Sequence, residues 1–190
     1  MKILSIDIGI KNLSFCILEI NEDLTIKICN WENINISSEF DIKKEKNELF
    51  ENIPIVLDKY SYLLDVNEII IENQPSLKNP IMKSIQIIIY TYFLIKGFHN
   101  NDSSINKIIF YSANNKLKIY DGPKIECKLK NKYSQSKFLG KEYAKYFLNN
   151  NKEKLDYLLN NKKKDDLADC FLQGLSYLKY VKKNNIETIL

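Results

Sequence analysis

Apolar β-branched runs alternate with helix-spaced stripes along this chain. Residues 2–8 predict a buried opening strand that carries Asp7 near its end, and Gly9 then permits a tight turn or the close approach of a ligand. Residues 13–20 and 24–29 predict two further strands joined by the polar stretch 21–23. The alternation Thr25-Ile26-Lys27-Ile28 fits a strand with one wet face. Residues 31–42 read as an irregular connection. Ile53, Leu57, Tyr60 and Leu64 recur at helical spacing over 47–64, although Pro54 blurs where that helix starts.

A buried strand follows at 66–71, stopped by Asn73-Gln74-Pro75, then a helix over 81–96 that ends at Gly97, then a strand over 107–110. The stretch 112–132, with Asn114-Asn115 and Asp121-Gly122-Pro123, reads as loop or small hairpin and is too long for a neutral connection. Helical spacing returns over 134–148 and, briefly, over 154–159. The last helix, 165–180, carries the stripe Leu167, Phe171, Leu175 and Leu178. Three hairpin-like strands followed by alternating helices and strands predict an α/β architecture: a mixed five-stranded sheet flanked by helices. Residues 1–190 fit one domain, with 112–132 as an insertion.

Composition narrows the chemistry. The chain is 45% hydrophobic and 27% charged, which excludes wholesale disorder. Every basic residue is Lys, so phosphate contacts would be point-charge contacts without the bidentate arginine fork. Six lysines over 128–145 face one acid, Glu142, and Lys162-Lys163-Lys164 follow, a distribution suited to a polyanionic backbone. The single His99 argues against histidine acid–base chemistry and multi-histidine metal sites. Cys16, Cys29, Cys127 and Cys170 lack paired metal-ligand spacing, and Cys16 and Cys170 read as small buried side chains. An intracellular, reducing setting is expected, and the apolar run 85–95 is too short to span a bilayer.

Four acids stand out: Asp7 and Glu72 at the ends of predicted buried strands, and Asp166 and Asp169 at the start of the last helix. Carboxylates in such places are costly unless paired, hydrated or metal-bound. Asp166 and Asp169 are i,i+3 neighbours and Asp165 and Asp169 are i,i+4 neighbours, so spacing alone leaves both pairs open. Each acid also has a plain reading as a turn or helix cap. Taken together they fit two Mg²⁺ ions about 4 Å apart, with Mn²⁺ tolerated, activating water for phosphodiester hydrolysis. Asn73, Gln74, Lys78, Lys83, Lys132 and Lys141 are candidate DNA contacts that would fix register without reading bases. Tyr111 and Tyr120 are candidate stacking platforms for an unpaired base.

The run Ile3-Leu4-Ser5-Ile6-Asp7-Ile8-Gly9-Ile10-Lys11-Asn12 resembles the first motif of RuvC-like Holliday-junction resolvases, and Ile69-Ile70-Ile71-Glu72-Asn73-Gln74-Pro75 resembles the second. Asn79-Pro80-Ile81-Met82-Lys83-Ser84-Ile85-Gln86 resembles the continuation found in the poxvirus and yeast-mitochondrial branch. Lys164-Asp165-Asp166-Leu167-Ala168-Asp169 resembles the closing motif. The resemblance implies an RNase H-like fold and a Mg²⁺-dependent homodimer that resolves four-way DNA junctions by paired nicks, leaving 5′-phosphate and 3′-hydroxyl ends. It implies Asp7, Glu72, Asp166 and Asp169 as metal ligands, which favours Asp166 over Asp165. It also implies a catalytic lysine upstream of the last acids, for which Gln135-Ser136-Lys137-Phe138-Leu139-Gly140 nominates Lys137. The apolar helix 81–96 would serve as the dimer interface, and a poxvirus-like host cycle would place the protein in the host cytoplasm.

Two other functions use the same features: a ribonuclease acting on RNA–DNA hybrids, and a branched-DNA binding protein without catalysis. An actin-like phosphotransferase also opens on strand, acid and glycine. This chain is too short for two nucleotide-binding halves and shows no second phosphate-binding glycine loop.

Overall fold

The computed structural model describes residues 1–9, 11–36, 46–77 and 79–182. Strand β1 (Lys2–Asp7) is buried along nearly its whole length, as its β-branched sequence requires. It pairs antiparallel with β2 (Asn12–Ile20), which pairs antiparallel with β3 (Ile26–Asn35). On its other side β1 pairs in parallel with β4 (Glu68–Glu72), and β4 with β5 (Lys107–Tyr111). The resulting mixed sheet has the order β3-β2-β1-β4-β5.

Period-two alternation sends the two halves of each strand into different cores. Leu4, Ile6, Phe15, Ile69 and Ile71 pack with α1 (Lys46–Asp58) and α2 (Pro80–Phe93). Ile3, Cys16, Leu18 and Ile70 pack on the opposite face with α5 (Lys164–Tyr180). That face is completed by a 3-10 run (Ala113–Ile119), α3 (Lys132–Phe147) and α4 (Lys152–Asn160). Because Asp7 is in phase with Ile3, and Glu72 with Ile70, both acids point toward α5.

Helix α5 is buried from Leu167 through Leu178, far more than one apolar stripe implies, because other elements cover the side turned away from the sheet. Gly174 sets its distance from the sheet. A Cβ there would meet Leu18 Cδ1 at 2.9 Å and Ser5 Cβ at 3.2 Å. The buried Gln173 amide donates to Ser5 Oγ and to the Ile6 carbonyl, both at 3.1 Å, locking the helix in register beside Asp7. A Gly174→Ala protein should lose about 1–3 kcal/mol of stability through overpacking. Urea denaturation checks this, and an unchanged midpoint would contradict the packing argument.

Several sequence expectations need correction. β3 continues to Asn35 instead of ending near residue 29, because Trp31 and Ile34 are buried and the strand stays paired with β2 past the irregularity at Ile17/Leu18. The rest of the expected connection, 37–42, lies outside the described residues. Pro54 sits inside α1, where burial of Ile53, Val56 and Leu57 outweighs the missing hydrogen bond, and a separate 3-10 turn (Ser61–Leu64) follows. Residues 113–119 form a 3-10 run rather than a hairpin.

Helix α2 is capped by the Asn79 side chain, which accepts from the Met82 amide at 3.2 Å, and continues through a π turn (Leu94–Phe98). The continuous helix Pro80–Phe98 is therefore long and apolar enough to cross a bilayer by length and composition, unlike the shorter apolar run read from sequence. Here Ile85, Ile89 and Phe93 are fully buried in the core between α2 and the sheet.

Candidate active site

Parallel pairing places Ile6 opposite Ile71, so Asp7 and Glu72 end adjacent strands side by side. Asp169 reaches the same place from the second turn of α5 and is only 6% exposed. These acids converge on a residue the sequence did not single out. The Lys116 ammonium lies 2.9 Å from Asp169 Oδ2, 3.2 Å from Glu72 Oε1 and 3.8 Å from Asp7 Oδ1. Lys116 comes from the 3-10 run, inside the stretch whose length had already marked it as more than a connection. Its lack of periodicity gave no signal of where any one side chain would point.

Lys137 holds the outer half of the cluster from α3. Its ammonium lies 3.1 Å from Asp166 Oδ1, 3.1 Å from Asp169 Oδ2 and 3.4 Å from Asp165 Oδ2. Both Asp165 and Asp166 therefore face Lys137, and proximity to it does not choose between them. Gly140 lets α3 lie against this acid, since a Cβ at that position would come within 3.3 Å of Asp169 Oδ1.

Charge and burial compete here. Burial pushes the Asp7 carboxyl well above the usual carboxylate range, Glu72 and Asp169 add to the rise, and Lys116 opposes it. Burial alone would lower the Lys116 ammonium, yet Asp7, Asp169 and Glu72 hold it well above the ordinary lysine value. Lys137 is raised in the same way against burial, chiefly by Asp169, Asp7 and Asp166. For Asp165 burial acts upward, and Lys137 still brings the carboxyl below its ordinary value.

A chain of amides orients Glu72. The Gln74 side chain donates to Glu72 Oε2 at 2.6 Å, and the Gln74 backbone N–H donates to Gln86 Oε1 at 2.9 Å. Gln86 is fully buried and also accepts from Lys83 at 3.0 Å. Gln74 thus occupies one Glu72 oxygen and leaves the other turned to Lys116.

Among the described residues, no three acidic, His or Cys side chains form a ready-made metal shell, because ammonium groups stand between the carboxylates. The donor set nonetheless fits a divalent ion. Lys116 already marks a position where oxygens from three separate elements gather around one cation, and carboxylate oxygens are the ligands Mg²⁺ and Mn²⁺ favour.

The other sequence candidates fall into place unevenly. Asn73 is exposed at the site's edge and accepts from Lys83 at 3.3 Å, while Lys83 also lies over the Phe110 ring. Lys132 opens α3 on the surface, and Lys141 follows Lys137 by one turn. Lys78 lies outside the described residues. Tyr111 is buried, with its hydroxyl on Ser176, and Tyr120 is stacked on Tyr143, so neither ring is free to receive a base.

This sheet and its flanking helices define the RNase H-like fold of RuvC-type resolvases, as the motif resemblance implied. Residues 3–87 match the family model described as mitochondrial resolvase Ydc2 / RNA splicing MRS1. A mimivirus protein from Acanthamoeba polyphaga mimivirus, uncharacterized protein L451, is 38% identical over 168 residues, covering 77% of this chain. The chain spans 40% of that relative's length. The fowlpox virus resolvase, solved with Holliday-junction substrate DNA, superposes with a TM-score of 0.59 at 25% identity, covering 95% of this chain and 99% of the other. The yeast mitochondrial resolvase Ydc2 superposes with a TM-score of 0.62 at 19% identity, covering 95% and 80%.

Proposed function

We propose that this chain is a structure-selective DNA endonuclease that resolves four-way junctions by paired phosphodiester hydrolysis. The observation that carries this reading is the meeting of Asp7, Glu72 and Asp169 around one cation position, with Lys137 beside them. Asp7, Glu72, Asp166 and Asp169 are the ligands for divalent ions, Mg²⁺ first and Mn²⁺ tolerated. Divalent ions held there would supply activation of a water and positive charge for the leaving 3′ oxygen. Gln74 keeps Glu72 in the ligating orientation. Lys137 holds the scissile phosphate and offsets its developing charge, and Lys116 is placed to share that work. Hydrolysis in this sense leaves 5′-phosphate and 3′-hydroxyl ends. Asn73, Lys83, Lys132 and Lys141 steady the flanking backbone.

The matching family description spans both a resolvase and an RNA-splicing protein. A full set of acids with two lysines among them favours a nuclease over a binding-only role. The protein should introduce paired, ligatable nicks into a synthetic four-way junction with Mg²⁺. Equal cleavage of a linear duplex, or preference for an RNA–DNA hybrid, would reject junction resolution.

Paired cutting calls for two active sites, and α2 offers a surface for a second copy. Ile87 and Ile95 are exposed and, with Pro54 and Thr91, line an apolar groove of about 320 Å³. An Ile87→Glu/Ile95→Glu protein is expected to run as a monomer in light scattering and to make unlinked single nicks; a retained dimer would refute this interface. Residues 1–190 act as one nuclease unit in this reading, with 112–132 as an insertion that brings Lys116 to the site. The viral relative and a viral DNA substrate suit the host cytoplasm.

A further inference from the structure

One polar side chain interrupts the apolar face of α2. Ile85, Ile89 and Phe93 are fully buried there, and so is Gln86 among them. Its side-chain oxygen accepts from the Gln74 backbone N–H at 2.9 Å and from the Lys83 ammonium at 3.0 Å. Its amide nitrogen has no hydrogen-bond partner among the described residues. Two donors on one atom fix which way the amide points, because turning it over would set its NH₂ against an N–H and an ammonium. A buried amide with an orphaned donor weakens the core, and an apolar side chain would fill the same space without that penalty. What glutamine adds here is the oxygen.

That oxygen governs the turn leaving β4. Glu72 ends the strand, and Asn73 stays with the sheet by donating its N–H to the Tyr111 carbonyl at 2.8 Å. Pro75 has no N–H to give. The Gln74 N–H lies between them, and Gln86 takes it. The side chain of Gln74 donates to Glu72 Oε2 at 2.6 Å, so fixing the Gln74 backbone fixes the arm that holds the carboxylate. Glu72 Oε1 is then the oxygen turned to the cation position, 3.2 Å from the Lys116 ammonium.

Resting on the metal ligands of the nuclease reading, we infer that Gln86 is a positioning residue for divalent-ion binding, acting through Gln74 on Glu72. Being fully buried, it meets neither ion nor DNA. It holds the Gln74 backbone so that the Glu72 carboxylate is aimed before an ion arrives. Hydrogen-bond partners that orient a metal ligand in this way are worth about 10–100-fold in metal affinity. The orphaned nitrogen takes no part.

Calorimetric titration of Mn²⁺ into the DNA-free protein tests this. Gln86→Met fills the space without the acceptor and should weaken binding about ten-fold. Gln86→Glu keeps an acceptor for the Gln74 N–H and drops the NH₂, so its affinity should stay within about three-fold of wild type. Gln74→Met should weaken binding about ten-fold, and adding Gln86→Met to it should change the affinity by less than about two-fold, because the arm is already gone. A side chain that only filled the core would move the melting temperature and leave the Mn²⁺ affinities alike. Wild-type affinity in Gln86→Met, ten-fold weakening in Gln86→Glu by about the Met value, or full additivity in the double variant overturns the positioning role. Glutamate matches glutamine in size and shape, so the Gln86→Glu affinity decides the matter even where Gln86→Met does not fold. The expected affinities in a protein that cuts no junction reject the nuclease and keep the positioning role; normal cutting with unmoved affinities rejects the positioning role alone.

Discussion

An Asp7→Asn protein is expected to cut a four-way junction at least about 10³-fold more slowly than wild type, and to melt at a higher temperature in metal-free buffer. The first effect follows from removing a proposed metal ligand at the point where the parallel ends of β1 and β4 meet. The second follows from the raised Asp7 carboxyl, which shows that its surroundings favour the uncharged form. Between the ordinary value of 3.8 and the raised value, the folded protein holds a proton that the unfolded chain has released. Stability from this group is therefore greatest at low pH and falls as pH rises through that window. Asparagine removes the loss while keeping the shape. Melting curves in EDTA together with single-turnover cleavage check both halves. Wild-type cleavage rates in the variant would remove Asp7 from the centre, and a lower melting temperature would contradict the electrostatic account.

Replacing Lys116 by Met should act in the opposite sense on the metal-free protein. The side chain is 14% exposed and has three carboxylates around it. Removing the cation leaves Asp7 and Glu72 without their ammonium partner and Asp169 with Lys137 alone, at a cost of about 3 kcal/mol, as when one partner of a buried ion pair is deleted. Added Mg²⁺ should restore much of the lost melting temperature, because a divalent ion can take over the same charge balance. Cleavage should still fall by about 10²-fold, because an ammonium near the phosphate is missing when negative charge develops. Differential scanning fluorimetry with and without Mg²⁺ tests the stability half. Equal melting shifts in both buffers would mean that Lys116 does not occupy a cation position.

The acids were legible in the sequence for a physical reason. A carboxylate in phase with the buried residues of a strand has to be explained by a partner, and Asp7 and Glu72 both stand in that phase. Asp169 was legible through its i,i+3 spacing from Asp166 at the start of the last amphipathic helix. Lys137 was legible only through the resemblance of its neighbours, because one lysine among six over 128–145 carries no pattern of its own. Lys116 was not legible, since a 3-10 run of seven residues has too few turns to show a face. The tail of β3 was hidden because its wet positions read as loop until Trp31 and Ile34 are seen buried. Tyr111 misled for the converse reason: an aromatic at a strand end looks available until its hydroxyl is found bonded to Ser176.

The bare α-carbon of Gly174 and the double hold of Gln173 have a mechanical consequence. They seat α5 tightly against the sheet, so Asp169 is carried by a helix held close to the strands that bear Asp7 and Glu72. Lys116 rides instead on a short, weakly wound segment with an exposed outer side. In the proposed nuclease a divalent ion would then replace the Lys116 ammonium while the carboxylates stay in place, sparing the site a rebuilding at each turnover.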